Sequence, residues 1–296
     1  MRVLLLAILM TISVSVPAQN VLVFQSDFGY KDGAVAAMKG VAVGVSSTLQ
    51  IQDLTHEIPA FNIWEAALRL EQTARYWPTG TVFVSVVDPG VGTQRKSVVL
   101  KTKSGHYFVT PDNGTLTFVA QSLGIAASRE IDEAVNRLQN SDESYTFHGR
   151  DVYAYTGARL AAGVITFEQV GRELAPEVVS IAYQKASFEN GMVKGNIPIL
   201  DVQFGNVWTN IDRPTFQDLK LAHGDIAQVI IYQGDSVVMN KDIPYHGTFA
   251  AVTLGDPLVY LNSLNNVALA LNQGDFAAKF NIQSGADWSI SISKKN

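Results

Sequence analysis

The feature that most constrains this chain is an alternation that runs through its first 175 residues. The short apolar runs Val21–Gln25 and Thr81–Val87, and the alternating run Leu49–Leu54 between them, each read as a strand that stops in a polar loop. Stretches with helical spacing, Ala34–Val45 and Ile63–Trp77, lie between them. Neighbouring parallel strands need a crossover of a dozen or more residues, and a helix supplies it. The pattern therefore predicts an α/β domain with a mostly parallel sheet. Ile63–Trp77 is the clearest helix: apolar residues gather on one side, Asn62 can cap its start and Pro78 stops it. Ser97–Lys103 and His106–Thr110, joined by Ser104-Gly105, read as a hairpin, and Val152–Ala162 as a helix ended by Gly163.

The character changes after about residue 190. Val193–Val202, Val207–Ile211, Ile226–Gln233, Ser236–Met239, Thr248–Val252, Leu258–Leu261 and Trp288–Ser293 are short β runs separated by turn signals. They predict a small antiparallel β-barrel or sandwich. With 296 residues there is room for about two domains, at roughly 100–200 residues each. The expected division is an N-terminal domain over 19–184, a linker near 184–191 and a C-terminal domain over 191–296.

Residues 1–18 read as a secretory signal peptide. Arg2 gives a positive start, Val3–Val16 is apolar, and Val16-Pro17-Ala18 offers a cleavage site. The apolar run is short of the ~20 residues that span a bilayer. The expected location is periplasmic or secreted, with no membrane attachment after cleavage. The formal charge is −5 and no Lys/Arg block occurs, which disfavours nucleic-acid binding. The chain has no cysteine, so thiolate metal sites and a Cys nucleophile are excluded.

Open α/β sheets bind ligands beyond the carboxyl ends of their strands. Asp27 and Asp32 follow the first strand, Asp53 and His56 the second, and Asp88 the third. His148-Gly149-Arg150-Asp151 precedes a helix. Each has a plain structural alternative: Asp27 as a turn cap, Asp53 as an acceptor for backbone donors, Arg150–Asp151 as a local ion pair. No zinc motif, P-loop or dinucleotide fingerprint is present. Asp27, Asp53, His56 and Asp88 together would suit a metal-dependent phosphohydrolase. In the second half, Phe204, Asn206 and Trp208 combine aromatic faces with an amide edge, as a flat base requires.

Seven motifs in order then carry a resemblance: SDFG (26–29), DLTHEIPAF (53–61), DPGVG-x-x-R (88–95), PDNG (111–114), FHGRDV (147–152), FGNVWTNI (204–211) and YLNS (260–263). Together they resemble the S-adenosylmethionine (SAM) hydroxide adenosyltransferases, adenosine-forming SAM hydrolases related to the fluorinase and chlorinase. The resemblance implies attack of water, as hydroxide, on C5′ of SAM, giving adenosine and methionine. It implies no metal or cofactor, and a homotrimer with sites at subunit interfaces. It maps a catalytic triad onto Asp88, Arg95 and His148. Asp27 falls on the ribose-diol position and Phe61 beside the sugar. Phe204 and Asn206 fall on adenine positions, with Trp208 near them. Asp32, Asp201 and Ser263 fall near the methionine ammonium and carboxylate. The halide-using relatives carry Tyr where Asp88 stands and Ser where Gly149 stands, which places this chain with the hydrolases. Ser263 is followed by Leu264 rather than Arg, and Asn272-Gln273-Gly274 by Asp275-Phe276 rather than Asn-Ala, so contacts at that end differ from the family pattern.

The residue types suit the reaction. A neutral thioether leaves without a general acid, so the demand falls on the nucleophile. Arg95 can hold a hydroxide by charge-assisted hydrogen bonds, and His148 can accept a proton near neutral pH. Asp88 can orient either partner, and the residue types leave open which of His148 and Arg95 activates water. Walls of Phe61, Phe204 and Trp208 would keep the pocket dry. An exported protein that binds adenosine or SAM without turnover is the remaining alternative.

Overall fold

A computed structural model describes residues 20–295. Residues 1–18, expected from the sequence to be a signal peptide, lie outside the described residues. The N-terminal part is built on a seven-stranded sheet of β1 (Val21–Ser26), β2 (Gln50–Thr55), β3 (Val82–Val86), β4 (Ser97–Thr102), β5 (Tyr107–Pro111), β6 (Ile125–Glu130) and β7 (Glu173–Leu174). Their order is β2-β1-β3-β5-β4-β6-β7. The β2-β1-β3-β5 half is parallel, and β4, β6 and β7 add an antiparallel flank.

Helices cover both faces of this sheet. Helix α1 (Ala34–Val45), a wide π turn (Gly149–Ala154) and α4 (Tyr155–Ala161) pack on Leu22, Phe24, Val82, Val84 and Val86. Helices α2 (Ile63–Ala74) and α3 (Thr117–Leu123) bury Leu70, Ala74 and Val119 against Val23, Phe83, Val98 and Leu100 on the other face. A strand covered on both sides reads as an unbroken apolar run, which is why β1 and β3 show no polar alternation. Asn62 caps α2 by accepting from the Glu65 N–H.

Register then sets the site. Ser26 pairs with Val86, and Gln25 with Thr55. The loops carrying Asp27, Asp88 and His56 therefore leave neighbouring strands at the same level.

The C-terminal part has two antiparallel sheets: β10 (Ile199–Asp201), β11 (Asn206–Asp212), β15 (Asn266–Leu271) and β14 (Pro257–Leu261) in one; β13 (Ser236–Pro244), β12 (Ile226–Gln233), β16 (Trp288–Lys294), β9 (Met192–Asn196) and β8 (Ser187–Glu189) in the other. Val207, Ile211, Val229, Ile231, Leu269 and Ile290 fill the space between them, with short helices α5 (Arg213–Gln217) and α6 (Phe276–Phe280) at the ends. Among the described residues, no helix is long and apolar enough to cross a membrane.

Four local expectations change. Val193–Val202 is two strands, not one: the chain passes from one sheet to the other at Ile197-Pro198, where proline has no N–H for a ladder. Thr248–Val252 is not a strand but a 3₁₀ turn over Phe249–Ala251; its two alanines favour no strand, and Phe249 packs on the Tyr260 ring instead. The linker near 184–191 contains β8, which folds back on β9 through Asn190-Gly191, both at positive φ, as a two-residue hairpin requires. The helix expected at 152 starts earlier, as the π turn from Gly149.

Candidate active site

Asp88 leaves β3, and Arg95 lies two residues before β4, which runs antiparallel to β3's neighbour β5. The two side chains therefore meet at one end of the sheet. Arg95 Nε donates to Asp88 Oδ1 at 3.0 Å and Oδ2 at 3.1 Å, and Nη2 donates to Oδ2 at 2.7 Å. Both are largely buried, with side-chain exposures of 11% and 5%. Burial, the largest single influence, disfavours the Arg95 charge, but the bonds to Asp88 together with the pull of Tyr153, Asp88 and Glu133 outweigh it and raise the pKa above the ordinary value.

His148 enters from the loop before the π turn. Arg95 Nη2 donates to its Nδ1 at 2.8 Å. An arginine has no acceptor, so Nδ1 must accept and the ring proton sits on Nε2. His148 Nε2 is buried and has no protein partner. Burial is the main reason the His148 pKa falls below 6.5, and the Arg95 and Arg137 cations add to it against Glu133 and Asp88. The ring is thus neutral, with a free N–H donor.

Two residues missed in the sequence complete this cluster. Arg95 Nη1 donates to Ser97 Oγ at 3.0 Å, and the Tyr153 hydroxyl lies 3.2 Å from the same oxygen. Burial raises the Tyr153 pKa, so the phenol keeps its proton. Ser97 stands two residues after Arg95 and Tyr153 directly follows FHGRDV, and that nearness to the motifs was the available signal.

Asp27, Phe28, Phe61, Asp88, Phe147, His148 and Gly149 line a cavity of about 280 Å³. The Asp27 carboxylate accepts from the Phe61 N–H at 2.8 Å. Phe61 is 71% exposed and holds φ at +67°. A bulky residue with positive φ is an outlier, and such strain concentrates at functional sites. Gly149 is the close wall: a Cβ there would stand 3.1 Å from Phe28 and Val86.

The other expected ligands lie elsewhere. Asp32 is exposed and accepts from the Ala34 N–H at the start of α1. Asp201 accepts from Asn206 Nδ2 at 3.0 Å and lines a separate groove of about 370 Å³ with Gly205 and Asp275. Gly205 has φ +66°, and a Cβ there would collide with Asp275, so only glycine fits. Phe204, at the tip before β11, is 65% exposed. Trp208 faces the crevice against Leu68, Phe118 and Tyr183, and Ser263 is in the exposed β14–β15 turn. None of these residues lines the cavity that holds Asp88 and His148.

The four groups of the metal alternative do not converge. Asp53 pairs with Lys39 and His56, Asp88 with Arg95, and Asp27 with a backbone N–H. Among the described residues, no set of three or more His, Cys, Asp or Glu is placed to hold a metal ion. Arg150 and Asp151 form the local ion pair, at 2.6 Å.

The chain matches two family models, the SAM hydroxide adenosyltransferase N-terminal domain over residues 22–171 and the C-terminal domain over 195–289. It is 40% identical over 204 residues to the (R)-S-adenosyl-L-methionine hydrolase of Methanocaldococcus jannaschii, covering 67% of this chain and 70% of that one. It is 30% identical over 290 residues to the fluorinase of an Actinoplanes species, covering 90% and 95%. The crystal structure of an uncharacterized conserved protein from Thermotoga maritima shares the fold at TM-score 0.82 and 36% identity, covering 92% of this chain and 99% of that one. The ordered motifs, the two-part fold and these matches agree: the chain belongs to the SAM hydroxide adenosyltransferase family.

Proposed function

We propose that the protein hydrolyses SAM to adenosine and L-methionine by displacement at C5′. The observation that carries this is the Asp88–Arg95–His148 cluster: Asp88 and His148 line one cavity, and the buried His148 Nε2–H is left without a protein partner. Arg95 only donates, and His148 spends Nδ1 on Arg95. Asp88 is therefore the group with acceptor capacity left. Water donates a proton to Asp88 while its oxygen accepts from His148 Nε2–H. The O–C5′ bond forms as C5′–S breaks, and the bonding pair leaves with methionine sulfur. The leaving thioether is neutral and needs no acid. Hydroxide and sulfonium cancel charge on the way, so walls of Phe28, Phe61 and Phe147 favour attack by limiting hydration. The chemistry asks for no metal or cofactor.

The active unit of this proposal is a homotrimer, with the Asp201–Trp208 segment of one protomer completing the cavity of its neighbour. Its support is that the cavity has no lining residue from the C-terminal part, while Phe61, Phe204 and Val202 stand exposed at 71%, 65% and 80%. Export rests on the pattern of Met1–Ala18.

Incubation of the mature protein with SAM tests the reaction: adenosine and methionine in equal amounts, unchanged by EDTA, are expected. Tight binding without turnover would establish the non-catalytic receptor instead. Mixing inactive Asp88→Ala and Asn206→Ala chains tests the trimer, since shared sites would restore activity on subunit exchange. N-terminal sequencing of the exported form tests cleavage.

A further inference from the structure

Behind Asp27 lies a second polar assembly that the displacement step does not use. Ser26 and His56 are both fully buried. Ser26 Oγ is 2.6 Å from His56 Nδ1, and His56 Nε2 is 3.2 Å from Asp53 Oδ1. Asp53 Oδ2 also accepts from Lys39 Nζ at 2.6 Å and from the Tyr30 hydroxyl at 2.9 Å. These donors hold the Asp53 pKa below its ordinary value despite burial, so Asp53 is an acceptor only. It follows that His56 Nε2–H donates to Asp53, and that Nδ1 accepts the Ser26 hydroxyl proton.

The direction matters for Asp27. With its proton committed to His56, Ser26 Oγ is free to accept, and it accepts from the Phe28 N–H at 3.3 Å. That closes a turn around the residue between them, which is Asp27. The next residue, Gly29, donates its N–H to the His56 carbonyl at 2.7 Å, with φ at +66°. One imidazole residue thus fastens the backbone on both sides of the Asp27 carboxylate, which points to the cavity and the Phe61 N–H.

We propose that Ser26 and His56, anchored by Asp53, are positioning residues that fix the Asp27 carboxylate for a vicinal diol of the substrate. This rests on the SAM reading through the identity of that diol as the ribose 2′- and 3′-hydroxyls. The groups that face the imidazole are Asp53, Lys39, Glu57 and Tyr30. Among the described residues, none of these four groups is hydrogen-bonded to Ser26 Oγ.

The test compares adenosine with 2′,3′-dideoxyadenosine by calorimetry, for the wild-type protein, Ser26→Ala and His56→Gln, beside kcat and KM for SAM. A carboxylate that meets two hydroxyls gives the wild type a preference for adenosine on the order of 100-fold. The expected result is that both variants lose about tenfold of that preference, bind the dideoxy ligand as the wild type does, raise KM and leave kcat within about threefold. A general packing defect would weaken both ligands equally, and that result overturns the proposal. Full diol preference in a folded Ser26→Ala protein overturns it as well. Ser26→Ala removes a single hydroxyl, so it carries the test should His56→Gln fail to fold. A wild type that forms adenosine but shows no diol preference refutes this inference alone. A wild type that neither binds nor forms adenosine refutes it together with the SAM reading.

Discussion

Two Asp–His assemblies stand side by side at the carboxyl ends of the parallel strands, and they differ in what they leave open. In Asp53–His56, every ring nitrogen has a partner, and the carboxylate is met by Lys39, Tyr30 and the imidazole. In Asp88–Arg95–His148, the cation fixes both of its neighbours, yet His148 Nε2 has no protein partner. A buried donor without a partner costs about 1–3 kcal/mol. A closed network stabilises a loop, whereas an open one beside a cavity keeps a bond in reserve for a reactant. The same residue types thus give a brace in one place and a reactive group in the other.

The largest expected effect falls on the open assembly. Asp88→Ala removes the proton acceptor and leaves Arg95 buried without its partner, so kcat should drop by about 10³-fold or more in an adenosine-release assay. A residual rate within tenfold of wild type would erase the contrast between the assemblies. His148→Ala comes next, with kcat down about 10²-fold and KM little changed. The Asp88→Ala/His148→Ala pair should be scarcely worse than Asp88→Ala alone, since residues that act as a unit are not additive.

The closed assembly should respond in stability instead. Asp53→Ala leaves the buried His56 Nε2–H unpaired, and urea unfolding should show a loss of about 1–3 kcal/mol, with kcat changed far less than by Asp88→Ala. Equal losses of kcat at 53 and 88 would show that the two are one machine. The smallest effect is on pH. Burial lowers the pKa of both His56 and His148 below 6.5. The unfolded chain therefore takes up protons at 6.5 that the folded chain refuses. Stability is fully present above pH 6.5 and is lost as pH falls from there toward each ring's lowered folded value. Calorimetry from pH 7.5 to 5 should show Tm falling by a few degrees, and His56→Gln should flatten part of that slope.

Much of this contrast was legible in the sequence. Asp27, His56 and Asp88 each follow a strand, and parallel strands bring such ends to one level; Asp53, expected after the second strand, lies within it, paired with Phe24. Asp88, Arg95 and His148 were picked out by motif. Their internal roles were not, because the bond from Arg95 to His148 that fixes the imidazole tautomer spans 53 positions. The hairpin turn Asn190-Gly191 carried its own signal, yet its polar surroundings read as a linker. Phe204 and Trp208 illustrate the opposite limit: four residues apart in one motif, they lie at an exposed tip and in a crevice, because a turn and a strand aim side chains differently.

The sequence alone determined the period of each element, the covered faces of β1 and β3, and the set of residues available for chemistry. Those follow from local propensity and from the burial of apolar runs, which are short-range matters. Tertiary structure decided which carboxylate met which cation. At Asp53 the imidazole was left saturated, and at position 148 it was left with a free N–H. That choice depends on strand register and on a π turn arriving from far along the chain, since a hydrogen bond a few tenths of an ångström too long is no longer one.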